Sequence, residues 1–241
     1  CNDLEPDLHD VYEKRLLIEG SQSLRDPQAL SQCYATLFLS LGGQFKQADV
    51  KQIVSRSNQW DMITDQGKDT VEKLVVCLGS WTPTLLKPLG YCNPIVIERG
   101  YHTVFKVQPG KRLNRTVFDV DSGFVMIPMN AGLRVTTGSN MVHRDTVETP
   151  TQIAKVTPRV REAFPIEKII LDKPWMGRRS STPDSLPIIG PAPRHKNLWL
   201  AFGHSHMGLT LGPATGELIA KFVSSEVHSI LPDPYSPRRY L

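Results

Sequence analysis

Apolar positions along this chain change rhythm several times. Behind Asp26-Pro27, Ala29, Leu30, Cys33, Leu37, Phe38 and Leu41 recur at helical spacing, and Gly42-Gly43 ends the run. Asp is a good N-cap, Pro has its φ preset for the first helical turn, and Gly closes helices without strain, so a helix is expected from 26 to 43. Three shorter runs follow, Val50 to Ser55, Gln59 to Thr64 and Thr70 to Leu78, separated by Ser57-Asn58 and by Asp65 to Lys68. Short gaps rich in Asn and Gly predict hairpins and thus a three-stranded meander. The last run ends Leu74-Val75-Val76-Cys77-Leu78-Gly79, the apolar signature of a strand buried on both faces. Leu16 to Ile18 reads as a short edge strand.

Between 91 and 140 the pattern alternates, through Ile95 to Ile97, Tyr101 to Val107, Thr116 to Val120, Gly123 to Pro128 and Gly132 to Thr137. Pro109-Gly110, Asp121 to Gly123 and Asn130 to Gly132 punctuate it, which predicts a mostly antiparallel sheet. Thr149-Pro150 opens a helix to about Phe164, with a kink expected at Pro158. Leu198 to Ala201 reads as a strand and Gly208 to Ser224 as a final helix. Strands in the middle flanked by helices indicate an α+β organisation, or part of an α/β domain interrupted by an antiparallel sheet.

Composition sets bounds on this picture. The 241 residues are 40% apolar and 22% charged, as expected of a chain with a real core. A net charge of +4, without dense Lys/Arg interleaved with aromatics, argues against nucleic-acid binding and is compatible with contact at an anionic membrane surface. Cys1, Cys33, Cys77 and Cys92 form no CxxC pair; Cys33 and Cys77 read as small buried hydrophobes in a reducing, cytoplasmic setting. No run of about 18 apolar residues suggests a spanning helix. The opening at Cys1 resembles the middle of a domain, so a preceding part is expected.

The candidate chemistry lies near the end. Gly203-His204-Ser205-His206-Met207-Gly208-Leu209-Thr210 follows a strand and opens a helix. Unpaired N–H groups and the helix dipole at such a start can stabilise a phosphate or a reduced flavin ring, although glycine turns of this kind are also common without a ligand. Arg179, in Gly177-Arg178-Arg179-Ser180-Ser181-Thr182-Pro183-Asp184, can grip a carboxylate through two parallel hydrogen bonds, or pair with an acid at the surface. Arg178 points to the opposite face of the expected strand, towards solvent, and Asp184 stabilises its own turn. His204 and His206 lack metal-ligand spacing and read as hydrogen-bonding histidines without a nearby acid. Tyr101 and His102 serve either packing or a substrate wall.

Taken together, Val75 to Trp81 with Leu85-Leu86, Arg99 to His102, Gly177 to Arg179 with Thr182 to Gly190, and Gly203 to Leu211 with Pro213 to Gly216 resemble the D-amino-acid oxidase/dehydrogenase family of FAD-dependent oxidoreductases, in the family's order over residues 26 to 225. The resemblance is greatest to bacterial D-amino acid dehydrogenases. It implies that Gly79, Ser80 and Trp81 approach FAD, that Gly203, His204 and the backbone of Ser205, His206, Met207, Gly208, Leu209 and Thr210 contact the flavin, and that the helix from Gly208 steadies its anionic edge. It further implies that Arg179 binds the substrate carboxylate, that the His206 carbonyl receives the substrate amine, and that Tyr101 and His102 line the substrate wall, with no catalytic acid or base and no metal.

The implied fold is the C-terminal part of a two-domain oxidoreductase. Residues 1–25 and 91–175 would form the substrate domain with its antiparallel sheet, 26–90 and 176–227 an incomplete FAD-binding domain, and 228–241 a Pro-rich tail. The family's GxGxxG turn, which holds the FAD pyrophosphate, does not occur in the sequence. The implied activity is oxidation of a D-amino acid, with a quinone, a carrier or oxygen as electron acceptor. Oxidation of glycine, or of a secondary amine such as sarcosine, and a non-catalytic module completed by a partner are the alternatives; peripheral attachment to the inner face of a membrane and oligomerisation are compatible with all three.

Overall fold

The computed structural model describes residues 3–171, 173–224 and 233–240. The chain runs α1 (Pro27–Ser40), β1 (Val50–Ser55), β2 (Trp60–Thr64), β3 (Gly67–Val71), β4 (Leu74–Val76), α2 (Thr82–Leu86), β5 (Val96–Val107), β6 (Val117–Asp119), β7 (Phe124–Met129), β8 (Gly132–Met141), α3 (Thr151–Ala163), β9 (Ile166–Ile169), β10 (Trp175–Ser181), β11 (Ile188–Pro191), β12 (Leu198–Phe202) and α4 (Gly208–Val223). It divides into two compact units: residues 1–43, 99–140 and 145–177 form one, and 44–98, 141–144 and 178–241 the other. Residues 26–43, expected with the cofactor-binding part, thus belong to the first unit, and 91–98 to the second.

The first unit is built on a sheet in the order β5-β8-β7-β6, in which β7 runs antiparallel to both β6 and β8, with β9 paired antiparallel to β5. Alternation turns Phe124 and Met126 of β7, and Leu133 and Val135 of β8, into one core. On α3, Val156, Val160 and Ala163 present a helical stripe to the same core. The helix runs on through Pro158. A buried pair on β5 fastens the loop before α3: Arg99 donates to the carbonyls of Thr146 (2.5 Å) and Val147 (3.2 Å), while the Tyr101 hydroxyl accepts the Thr149 N–H at 3.0 Å.

α1 begins where expected, with the Asp26 carboxylate accepting the Ala29 N–H at 2.9 Å. None of its residues is buried, so the anticipated inward apolar face, Cys33 included, is exposed. Helical periodicity identifies a stripe, but only a neighbouring element can bury it. Leu16 to Ile18 likewise forms no strand and is exposed.

In the second unit the meander β1-β2-β3 is present. The run from Thr70 to Leu78, expected as one strand, breaks at Glu72-Lys73 into β3 and β4, which join different sheets. β4 ends at Val76, which leaves Cys77 exposed rather than buried. β4 pairs in parallel with β12, and β12 pairs antiparallel with β11. The strand buried on both faces is therefore β12. Leu198, Leu200 and Phe202 pack with Trp60, Ile53 and Leu86, while Trp199 and Ala201 pack against Ile219 of α4. Trp60 also places its indole N–H on the Lys196 carbonyl at 3.2 Å. The anticipated Pro-rich tail, where described, forms two 3-10 turns, Asp233–Tyr235 and Pro237–Tyr240, packed within this unit; residues 225–232 lie outside the described residues.

Gly132 opens β8 at φ +136°, and a Cβ there would stand 2.6 Å from the Phe105 carbonyl oxygen. The Phe105 carbonyl belongs to the backbone of a strand and cannot swing aside, and the Ile170 and Val104 side chains stand at 3.2 Å. Gly132→Ala is expected to lower unfolding stability by about 2–3 kcal/mol, read as a reduced denaturant midpoint; an unchanged midpoint would refute this account of the turn.

Candidate active site

The second unit brings most of the sequence-identified residues to one place. Because β4 and β12 are parallel neighbours, with Leu198 opposite Leu74 and Leu200 opposite Val76, their carboxyl ends lie side by side. Each is followed by a tight 3-10 turn and a helix. Gly79–Trp81 leads into α2, and Ser205–Met207 leads into α4. Ligands of open α/β sheets characteristically bind outside such carboxyl ends. β10 closes the group: Ser181 bridges His204, and a Cβ on Gly79 would meet Ser180 Oγ at 3.8 Å.

The backbone here depends on unusual conformations. Gly203 turns at φ +80°, and a Cβ would stand 3.0 Å from the Thr182 methyl. Ser205 adopts φ +51°, uncommon for a residue with a side chain. These turns lead to the start of α4, where Met207 gives no side-chain cap. No side chain therefore competes for the start of this helix of 16 residues, where the dipole favours an anionic acceptor.

Several features fit a bound flavin nucleotide. The hydroxyls of Ser80, Thr82, Ser181 and Ser205 are buried, with no hydrogen-bond partner among the described residues. Such groups need partners, and a polar ligand offers them. Around the same turns Leu78, Trp81, Met207 and Leu209 are exposed, an apolar rim suited to a planar ring system. Arg144 adds a cation over the Trp81 ring, 5.8 Å from its centroid, and donates to Thr84 Oγ1 at 3.1 Å.

The two arginines of β10 separate as alternation requires. Arg178 is half-buried rather than solvated, its Nε donating to the Arg144 carbonyl at 3.0 Å. Arg179, also half-buried, occupies the opposite face of the strand. His204 shares a hydrogen bond with Thr215 of α4 at 2.9 Å, and burial lowers its pKa. His206, expected without an acid nearby, has its Nε2 3.5 Å from Glu98 Oε2. Asp184 accepts the Leu186 N–H, as a turn-forming Asp does, and also the Nε–H of Arg239 at 2.9 Å. Burial pushes the Asp184 carboxyl up, but Arg239 and the Leu186 N–H outweigh it and hold the group well below the usual carboxylate range. Glu98, Arg144 and Arg239 had no local signal, since each makes its contacts with residues remote in sequence.

Tyr101 and His102 lie in the first unit. Tyr101 is buried beside Ile153 and Met176 with its hydroxyl engaged by Thr149. His102 rests against Trp175, ring centroids 4.8 Å apart. Burial, then the Arg134 charge, lower its pKa to about 4.

A profile of the DAO family, described as FAD dependent oxidoreductase, matches residues 1–222. The chain belongs to this family. It is 28% identical over 98% of its length to a D-amino-acid oxidase of Bradyrhizobium diazoefficiens, covering 57% of that protein. It is 29% identical over 96% of its length to a glycine oxidase of Pseudomonas aeruginosa, covering 64% of it. The DAO chain thus spans about three fifths of these curated relatives. Its fold matches the crystal structure of glycine oxidase from Geobacillus kaustophilus with a TM-score of 0.75 and 25% identity, covering 88% of this chain and 58% of that one. The mixed α/β architecture, with its antiparallel sheets, is that of FAD-dependent oxidoreductases, and FAD is the cofactor the family implies. Among the described residues no helix is long and apolar enough to cross a membrane.

Since an unfolded chain protonates histidine near 6.5 and folded His102 only near 4, the folded state binds fewer protons between these values. Stability is therefore lost as pH falls through that window. His102→Phe, which keeps a ring on Trp175, is expected to flatten the decline in melting temperature between pH 6.5 and 4; an equally steep decline would show that His102 does not titrate as described.

Proposed function

We propose that this protein takes part in FAD-dependent oxidation of the α-carbon of a D-amino acid. The observation that carries the reading is the pair of strand-to-helix turns after β4 and β12, with their buried unpartnered hydroxyls and the uncapped start of α4. The chemistry that FAD supplies when bound is acceptance of a hydride from the substrate Cα, leaving an imine that water hydrolyses to a keto acid and ammonia.

The chain's own residues would hold and orient the reactants. The Arg179 guanidinium binds the substrate carboxylate with two parallel hydrogen bonds, which fixes the α-carbon in position. The His206 carbonyl accepts an N–H from the substrate amine. The Gly79 and Gly203 turns would hold the cofactor through their backbone, and the start of α4 at Gly208, Leu209 and Thr210 would favour an anionic form of it. The role of Tyr101 and His102 at the substrate wall rests on the family resemblance.

The relatives favour two amine classes, since one is named D-amino-acid oxidase and another glycine oxidase. The substrate arginine serves either one. The chain's protein, supplied with FAD, is to be assayed on D-amino acids, glycine and sarcosine, with oxygen and with a quinone as acceptor. Turnover of D-amino acids to keto acids is expected; turnover confined to glycine or N-methyl substrates would replace this reading with the glycine or secondary-amine one. Arg179→Ala is expected to raise KM by an amount equivalent to about 2–4 kcal/mol, and unchanged kinetics would remove Arg179 from the site.

A further inference from the structure

The family profile ends at residue 222, yet the described residues beyond it reach back to the site. Arg239, with its side chain only 15% exposed, donates from Nε to Asp184 (2.9 Å) and from Nη2 to the Leu186 carbonyl (2.5 Å). It thereby bridges Asp184, inside the tight turn after β10, and Leu186, which follows that turn. Thr182 Oγ1 donates to the same Leu186 carbonyl at 2.7 Å, and Ser185 within the turn adopts φ +61°. Thr182 in turn lies close to Gly203, where a Cβ would stand 3.0 Å from the Thr182 methyl. The neighbouring Ser181 bridges His204. Arg239 is itself anchored: Pro237 is buried, Tyr240 packs on the core around Trp60, Tyr235 packs on the core beneath α4, and the guanidinium lies 4.6 Å from the Tyr240 ring centroid.

We propose that residues 233–240 act as a clamp in which Arg239 is a positioning residue, holding the 182–186 turn so that Thr182 and Ser181 fix the Gly203–Met207 turn at the start of α4. Arg239 acts through Asp184 and Leu186. Its consequence for the cofactor rests on the functional reading above, while the clamp itself does not.

Hydrogen exchange of the full chain, paired with FAD titration by flavin fluorescence, tests both. In Arg239→Ala, amides of Leu186 and of 203–207 are expected to exchange at least tenfold faster, with those of Trp199 to Ala201 unchanged, and FAD binding is expected to weaken about tenfold. Arg239→Lys, which keeps the charge but not the forked donors, should restore only part of the protection. Asp184→Asn, which removes the ion pair and keeps an acceptor for Leu186, should loosen the same amides to a lesser degree. Unchanged exchange at 203–207 in Arg239→Ala overturns the clamp, as does acceleration spread equally through β12, which marks a merely structural residue. Faster local exchange with undiminished FAD affinity upholds the clamp and removes the turn from the cofactor site.

Discussion

The parallel pairing of β4 with β12 is the constraint on which the candidate site depends. Three residues of β4 lie against Leu198 to Leu200, and that short ladder places two distant strand ends, at Val76 and Phe202, next to each other. Parallel strands require a long connection, and the intervening residues, from 77 to 197, supply most of the sheet of the first unit. The pairing persists because β12 is buried on both faces, between the core around Trp60 and the face covered by α4. Truncating Leu200 would damage the core, and it would also release the alignment of the two turns.

From this alignment the chemistry follows. A strand that ends and turns sharply into a helix exposes N–H groups in one direction, and two such turns side by side make a polar edge with few internal partners. The orphaned hydroxyls of Ser80, Thr82, Ser181 and Ser205 show that the edge is not satisfied from within among the described residues. Arg144 and Arg178 then reinforce it, one donating to Thr84 and the other to the Arg144 carbonyl. The site is thus a region where the fold leaves polar groups unmatched, and family membership supplies the ligand class that matches them.

Local features were legible where chemistry is local. The Asp26 cap, the β1-β2-β3 meander, the helix after Thr149-Pro150 and the glycine turn before α4 all follow from residues within a few positions of each other. Arg179 and the Gly203 to Thr210 segment stood out because glycines, a tight turn and an arginine converge in a short span. By contrast, the exposed α1, the missing strand at Leu16 to Ile18 and the break at Glu72-Lys73 escaped the pattern, since an apolar residue records only a preference for burial.

By itself, the sequence determined the identity of most elements, the family and the candidate residues for anion binding. Backbone turns and caps are decided by neighbours along the chain, so these are written in order. The tertiary structure alone decided which of those residues meet: Glu98 beside His206, Thr215 beside His204, Arg144 over Trp81 and Arg239 on Asp184. Each joins residues at least 11 positions apart, and up to 108 for Glu98 and His206. Such pairs exist because β-sheet register and core burial set the distances, and neither quantity can be read from local order.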